Sequence, residues 1–138
     1  MRREGEFDHD LLDAYRLGRA AAREVDHLLR EFPRGFAELV TQLRKASLSV
    51  MLNIAEGCGE YAPLEKARFY RMARRSATES VAVLDYLVET GVMDEERTRT
   101  ARVLFWRTVS ALIKLIQSVE SRSPKPAPTP KRAPAPAP

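Results

Sequence analysis

Residues Gln42 to Gly59 read QLRKASLSVMLNIAEGCG, and this stretch decides the fold. Leu39, Leu43, Ala46, Val50 and Ile54 recur at steps of four, three, four and four, the spacing of one face of an α-helix. A polar stripe of Glu38, Gln42, Lys45, Ser49, Asn53 and Glu56 runs beside it. Val40, Leu48, Met51 and Leu52 add apolar positions on other sides. A helix apolar over most of its circumference has to be covered from more than one direction. The stretch therefore speaks of packing and assembly before it speaks of chemistry.

Upstream, Leu11, Tyr15, Gly18, Ala22, Val25, Leu29 and Phe32 follow the four-three rhythm of a bundle helix, for which Asp8 or Asp10 is the expected cap. Gly18 and Ala22 are small enough for a neighbouring helix to come close. Phe32-Pro33-Arg34-Gly35 is a break, because a residue before proline is pushed out of the α region. Downstream, Gly57-Cys58-Gly59 is expected to end the second helix through a left-handed glycine, and Pro63 suits the first turn of a third. Phe69, Ala73, Ser76, Ala77, Ser80, Leu84 and Leu87 make the inner face of that helix, whose small first half is expected to pack near Gly18 and Ala22. Gly91 closes it and Asp94 opens a fourth helix, in which Phe105, Val109, Leu112, Ile116 and Val119 form the inner stripe. The fold class is thus all-α, an antiparallel up-down four-helix bundle over residues 1–121, with helices at about 8–31, 36–58, 63–90 and 94–121. Residues 122–138 alternate Pro and Ala around a few cations, the composition of an extended, disordered basic tail.

The net charge of +4 belongs to that tail. Arg122, Lys125, Lys131 and Arg132 carry it without a single acid, and the body is left with as many acids as bases. A globally basic nucleic-acid binder is not indicated, although local stripes can act. Cys58 is the only cysteine, which excludes an internal disulfide and fits a cytoplasmic location. The start of the chain has no apolar core of a secretory signal, and no stretch is long and apolar enough for a membrane span.

No chemistry-bearing motif stands out. His9 and His27 are far apart, and neither His-x-x-x-His, Cys-x-x-Cys nor Glu-x-x-His occurs, so neither a metal nor another cofactor is expected. Cys58 has no histidine near it in sequence, and Asn53 and Glu56 read as packing or solvated polar groups of a helix. The chain reads as a non-enzyme. What it has in excess is apolar surface: Leu48 and Leu52 on the second helix, and Leu104, Trp106, Ile113 and Leu115 on the fourth, widen the stripes beyond what a monomeric bundle buries. Of these, Leu48, Leu52, Leu104, Trp106 and Leu115 are the expected oligomer interface. Basic stripes run along the first helix (Arg16, Arg19, Arg23) and the third (Arg68, Arg71, Arg75).

Gln42-Leu43-Arg44-Lys45-Ala46, Ser49-Val50 and Asn53-Ile54-Ala55-Glu56-Gly57 resemble the hallmark of the four-helix-bundle family named for open reading frames inside 23S rRNA intervening sequences. Phe32-Pro33, Arg68-Phe69, and Ser76 with Glu79 also fit, and the likeness spans about Phe7 to Ser118. Met51 stands where the family usually has proline, Glu60 where a basic residue is common, and the segment from the Phe-Pro step to Gln42 is one residue shorter and lacks the usual acid. The resemblance implies a homo-pentamer around a central axis. It also implies a more distant similarity to the accessory protein of diversity-generating retroelements, which partners a reverse transcriptase and binds nucleic acid. Two functions follow as expectations. One is an oligomeric scaffold that binds RNA or DNA through Arg16, Arg19, Arg23, Arg68, Arg71 and Arg75. The other is a protein-interaction module for a polymerase-like or reverse-transcriptase-like partner, in which Asn53 and Glu56 matter more than the arginines.

Overall fold

The computed structural model describes residues 2–122 and 134–137. Four α-helices account for the body: α1 (Asp13–Arg30), α2 (Ala37–Gly59), α3 (Pro63–Glu89) and α4 (Glu95–Glu120). Each is long because its interior contains no proline, and each stops where the sequence supplies a specific end. Asp94 caps α4, its Oδ1 accepting from the Arg97 amide at 2.8 Å. Pro63 sits in the first turn of α3, where a missing N–H costs nothing. At the end of α3, Gly91 adopts φ +76°; the Val92 amide donates to Leu87 O at 2.9 Å and the Gly91 amide to Val88 O at 3.0 Å, the paired bonds of a Schellman ending.

Two expectations about helix ends need correction. α1 does not begin at Asp8 or use an aspartate cap. Residues Asp8–Leu11 form a separate 3₁₀ turn in which Asp10 Oδ2 accepts from the Phe7 amide at 2.8 Å, and α1 starts behind an extended Leu12 that offers no side-chain cap. At the other correction, Gly57 and Gly59 are helical rather than left-handed, so α2 runs through them. Its last carbonyls are instead satisfied from α3: Lys66 Nζ donates to Cys58 O at 2.8 Å and to Gly57 O at 3.3 Å.

Cross-helix contacts fix the topology. Gly18 meets Val50 and Ile54 while Asp26 meets Arg44, so residue numbers fall along α2 as they rise along α1. The same inverse order links α3 to α4, through Asp85–Arg102 and Arg71–Glu120, and α1 to α4, through Gly18 beside Thr108 and Glu31–Arg97. Sequential helices pack on each other and α1 closes against α4, which leaves α1 diagonal to α3 and α2 diagonal to α4. This is an up-down antiparallel bundle. Gly18 accordingly does not receive the small half of α3. A Cβ there would lie 3.2 Å from Val50 Cγ1 and 3.8 Å from Thr108 Cγ2, so the close approach is to α2 and α4. The core is built on Val25, Leu43, Val50, Ile54, Leu84, Leu87, Phe105, Leu112 and Val119. Ala67, Ala73 and Ala77 bring the backbone of α3 close to its neighbours.

Of the expected tail, residues 123–133 and Pro138 lie outside the described residues; 134–137 are exposed and have no regular secondary structure. Among the described residues, no helix is long and apolar enough to cross a membrane.

Candidate functional site

The Gln42–Gly57 motif turns out to be a seam between helices. Asn53, which the sequence places on a polar stripe, is only 8% exposed. Its Nδ2 donates to Ser49 O and to Ser49 Oγ, both at 2.9 Å, and Ser49 Oγ in turn shares a 2.8 Å hydrogen bond with Ser76 Oγ on α3. Ser80 Oγ continues the chain by donating to Ser76 O at 2.9 Å. Gln42 Nε2 reaches Glu79 Oε1 at 3.4 Å, an exposed and longer contact between the same two helices. Buried polar groups are tolerated only when partnered, and here each finds its partner within the protomer. Gly57 has no conformational role; a Cβ there would sit 2.8 Å from Tyr70 Cε1 and 3.0 Å from Phe69 Cβ, so the glycine lets α3 come close. Arg44 ties α2 to α1 through Asp26 at 3.0 Å, and Asp26 also takes Arg30 at 3.0 Å. Hydrogen bonds from Arg44 and then Arg30 hold the Asp26 carboxyl below its usual range. Glu56 and Lys45 are the charged exceptions in the motif: both are exposed and have no hydrogen-bond or ion-pair partner among the described residues.

The six arginines do not form one surface. Arg16, Arg19 and Arg23 lie on α1 and Arg68, Arg71 and Arg75 on α3, the helix diagonally opposite. Half of them are already engaged. Arg16 Nε donates to Asp10 O at 3.0 Å and its Nη1 lies 3.7 Å from Asp13. Arg68 pairs with Glu65 at 3.1 Å and covers the Phe69 ring at 4.8 Å. Arg71 Nη1 donates to Glu120 Oε1 at 2.6 Å. Arg19, Arg23 and Arg75 are exposed and, among the described residues, have no ion-pair partner.

The apolar positions divide as well. Leu48 and Leu52 stand on the outer side of α2 at 52% and 51% exposure, and Trp106 on α4 at 68%. Leu104 and Leu115 are half-buried and pack against the core, so much of their surface is covered inside one protomer. Val103 and Ile113 on α4 are more exposed than either; Ile113 belongs to the widened apolar stripe, whereas the pattern does not single out Val103. Between the start of α1 and the second half of α4 lies an open groove of about 800 Å³ with Leu12, Leu17, Ala111 and Leu115 in its lining. Trp106 also lines it, together with the cations Arg16, Arg107 and Lys114 and one acid, Asp13.

Among the described residues there is no group of three or more His, Cys, Asp or Glu side chains placed to hold a metal. The Cys58 thiol is half-buried and burial pushes its pKa up, away from thiolate chemistry. Tyr70 beside it is pushed up to about 12, chiefly by burial. No curated protein matches the chain. The sequence signature of one family does match, over residues 10–114, which is more than half of the chain and takes in α1, α2, α3 and most of α4; its description is 23S rRNA-intervening sequence protein.

Proposed function

As the chain belongs to the 23S rRNA-intervening sequence protein family, we propose that it is a non-enzymatic scaffold that assembles from identical copies and binds nucleic acid through its outward arginines. The observation that carries this reading is the apolar surface left open by a completed core: Leu48 and Leu52 on α2, and Trp106 on α4. A bundle whose interior is already filled gains nothing from such residues alone, but gains from covering them with a second copy. Assembly also answers the charge problem. A protomer body with balanced charge presents only short basic stripes, and repetition around an axis multiplies each of them, Arg19 and Arg23 on the surface that α1 faces and Arg75 on the one that α3 faces. By the family resemblance the assembly is a pentamer.

Light scattering on the full chain tests the first part: a pentameric mass is expected, and a monomer at micromolar concentration overturns it. Retention of labelled RNA or DNA tests the second. Affinity should fall steeply with salt, and changing Arg19, Arg23 and Arg75 together to alanine should weaken binding without changing the mass. Binding that survives this change but disappears with residues 122–138 would assign the role to the tail instead. The partner-protein reading has less support, because Asn53 is occupied inside the protomer and only Glu56 of that pair faces outward.

A further inference from the structure

Glu56 is the one acid of the central motif, and the protomer does not use it. It lies one turn beyond Leu52, itself one turn beyond Leu48, so the three form an exposed row inclined to the axis of α2. On the other side of the molecule, the α1/α4 groove has the complementary character. Its lining is apolar at Leu12, Leu17 and Leu115, Trp106 stands at its edge, and Arg107 and Lys114 have no ion-pair partner among the described residues. The only acid there, Asp13, already faces Arg16 at 3.7 Å. An apolar row ending in an unpaired acid and an apolar groove flanked by unpaired bases are complementary in charge and alike in apolar character.

We propose that the Leu48–Leu52–Glu56 row of one copy seats in the α1/α4 groove of the next, so that copies join head to tail through two different faces. This rests on the self-assembly proposed above and specifies its contact. The groove follows α4 from Trp106 to Leu115, roughly 14 Å at 1.5 Å per residue, long enough for the two turns that carry the row. Helix-in-groove docking places such i, i+4 anchors in an apolar channel, and a tryptophan at the edge is the residue type that most often dominates an interface. Because α2 is diagonal to α4, the row and the groove face different ways, and every copy joined at one face keeps the other free. Such a heterologous contact closes into a ring when its rotation allows. A two-fold α2–α2 contact is the rival arrangement. It would cover Leu48 and Leu52 and set Lys45 against Glu56, but it would stop at a dimer and leave Trp106 and the groove bare.

Two surface variants of the full chain separate these cases. The row variant is Leu48→Glu with Leu52→Glu; the groove variant is Trp106→Ala with Lys114→Glu. All four positions are exposed, so both variants should remain helical, which circular dichroism checks. Each alone is expected to be monomeric. Mixed in equal amounts, they have one intact row and one intact groove between them, so the mass should double and stop there. Trp106 is the only tryptophan, so fluorescence in the mixture comes from the row variant alone and should shift to the blue when its groove is filled. A mixture that stays monomeric while the wild type assembles overturns the head-to-tail contact and leaves self-assembly standing. A groove variant that remains a dimer by itself would establish the two-fold rival. A row variant as large as the wild type would show that α2 is not in the contact. A monomeric wild type would remove the proposal together with the reading beneath it.

Discussion

Replacing Gly57 with alanine sets two opposed effects against each other at one site. Gly57 is helical and near the end of α2, so added helix propensity favours alanine by up to about 1 kcal/mol. Against this, the new methyl would lie 2.8 Å and 2.9 Å from two Tyr70 ring carbons and 3.0 Å from Phe69 Cβ. Tyr70 is buried and cannot swing aside, and Phe69 Cβ is fixed to the α3 backbone, so α2 and α3 must separate by a few tenths of an ångström. Overpacking of this kind costs about 1–3 kcal/mol, and the net expectation is a loss of about 1 kcal/mol. Gly59→Ala is the internal control. It lies two residues along the same helix end, also without a positive φ, and a Cβ there meets nothing within 4 Å. It should gain a few tenths of a kcal/mol, roughly half the glycine penalty of a helix interior. Urea unfolding of both variants at one protein concentration measures the contrast, because assembly then contributes equally to each. The two midpoints should differ by about 0.5 M or more. If Gly57→Ala is as stable as Gly59→Ala, the close approach of α3 is not what the glycine is for.

Asn53→Ala removes the donor to Ser49 from a buried position, and should cost about 1–2 kcal/mol in the same urea assay, whereas Glu56→Ala should cost almost nothing in a dilute monomer. Equal effects of the two would contradict the division of the motif into an inward and an outward part. Asp26 has its carboxyl pKa lowered from an ordinary 3.8 by Arg44 and Arg30, so its contribution to stability is present above that value and is lost as pH falls through the lower folded value. Asp26→Asn should therefore flatten the acid limb of stability below about pH 4 and leave its shape at neutral pH unchanged; an unaltered acid limb would mean that the two arginines do not hold the group.

The fold was legible in the sequence because its signals are local. The four-three spacing of Leu43, Ala46, Val50 and Ile54 found the buried face of α2, and Gly91 and Asp94 marked a helix end and a helix start whose chemistry the structure shows. What escaped was decided between helices. Ser49 and Asn53 look like solvent-facing residues until Ser76 is placed opposite them, and no spacing within α2 can report a hydroxyl on α3. Ser76 and Glu79 were visible as family-like positions, but not as the partners of Ser49 and Gln42. Gly57 was read for its backbone freedom, when the reason for glycine was the side chain it lacks. The arginine stripes were legible as stripes, but their sides were not: only the order of packing shows that α1 and α3 face apart. The same holds for Leu104 and Leu115, whose half-burial depends on how the neighbouring helices pack around α4.

The serine–asparagine–serine chain inside the bundle has a mechanical consequence. Sliding α2 past α3 by a single turn would break the part-buried Ser49–Ser76 hydrogen bond and pull Lys66 Nζ away from the Gly57 and Cys58 carbonyls, so these contacts favour one axial register of the two helices. The seam of α1 against its neighbours is methyl on methyl apart from exposed ion pairs, and carries no such tooth. On these contacts, a lengthwise shift costs less at α1 than between α2 and α3.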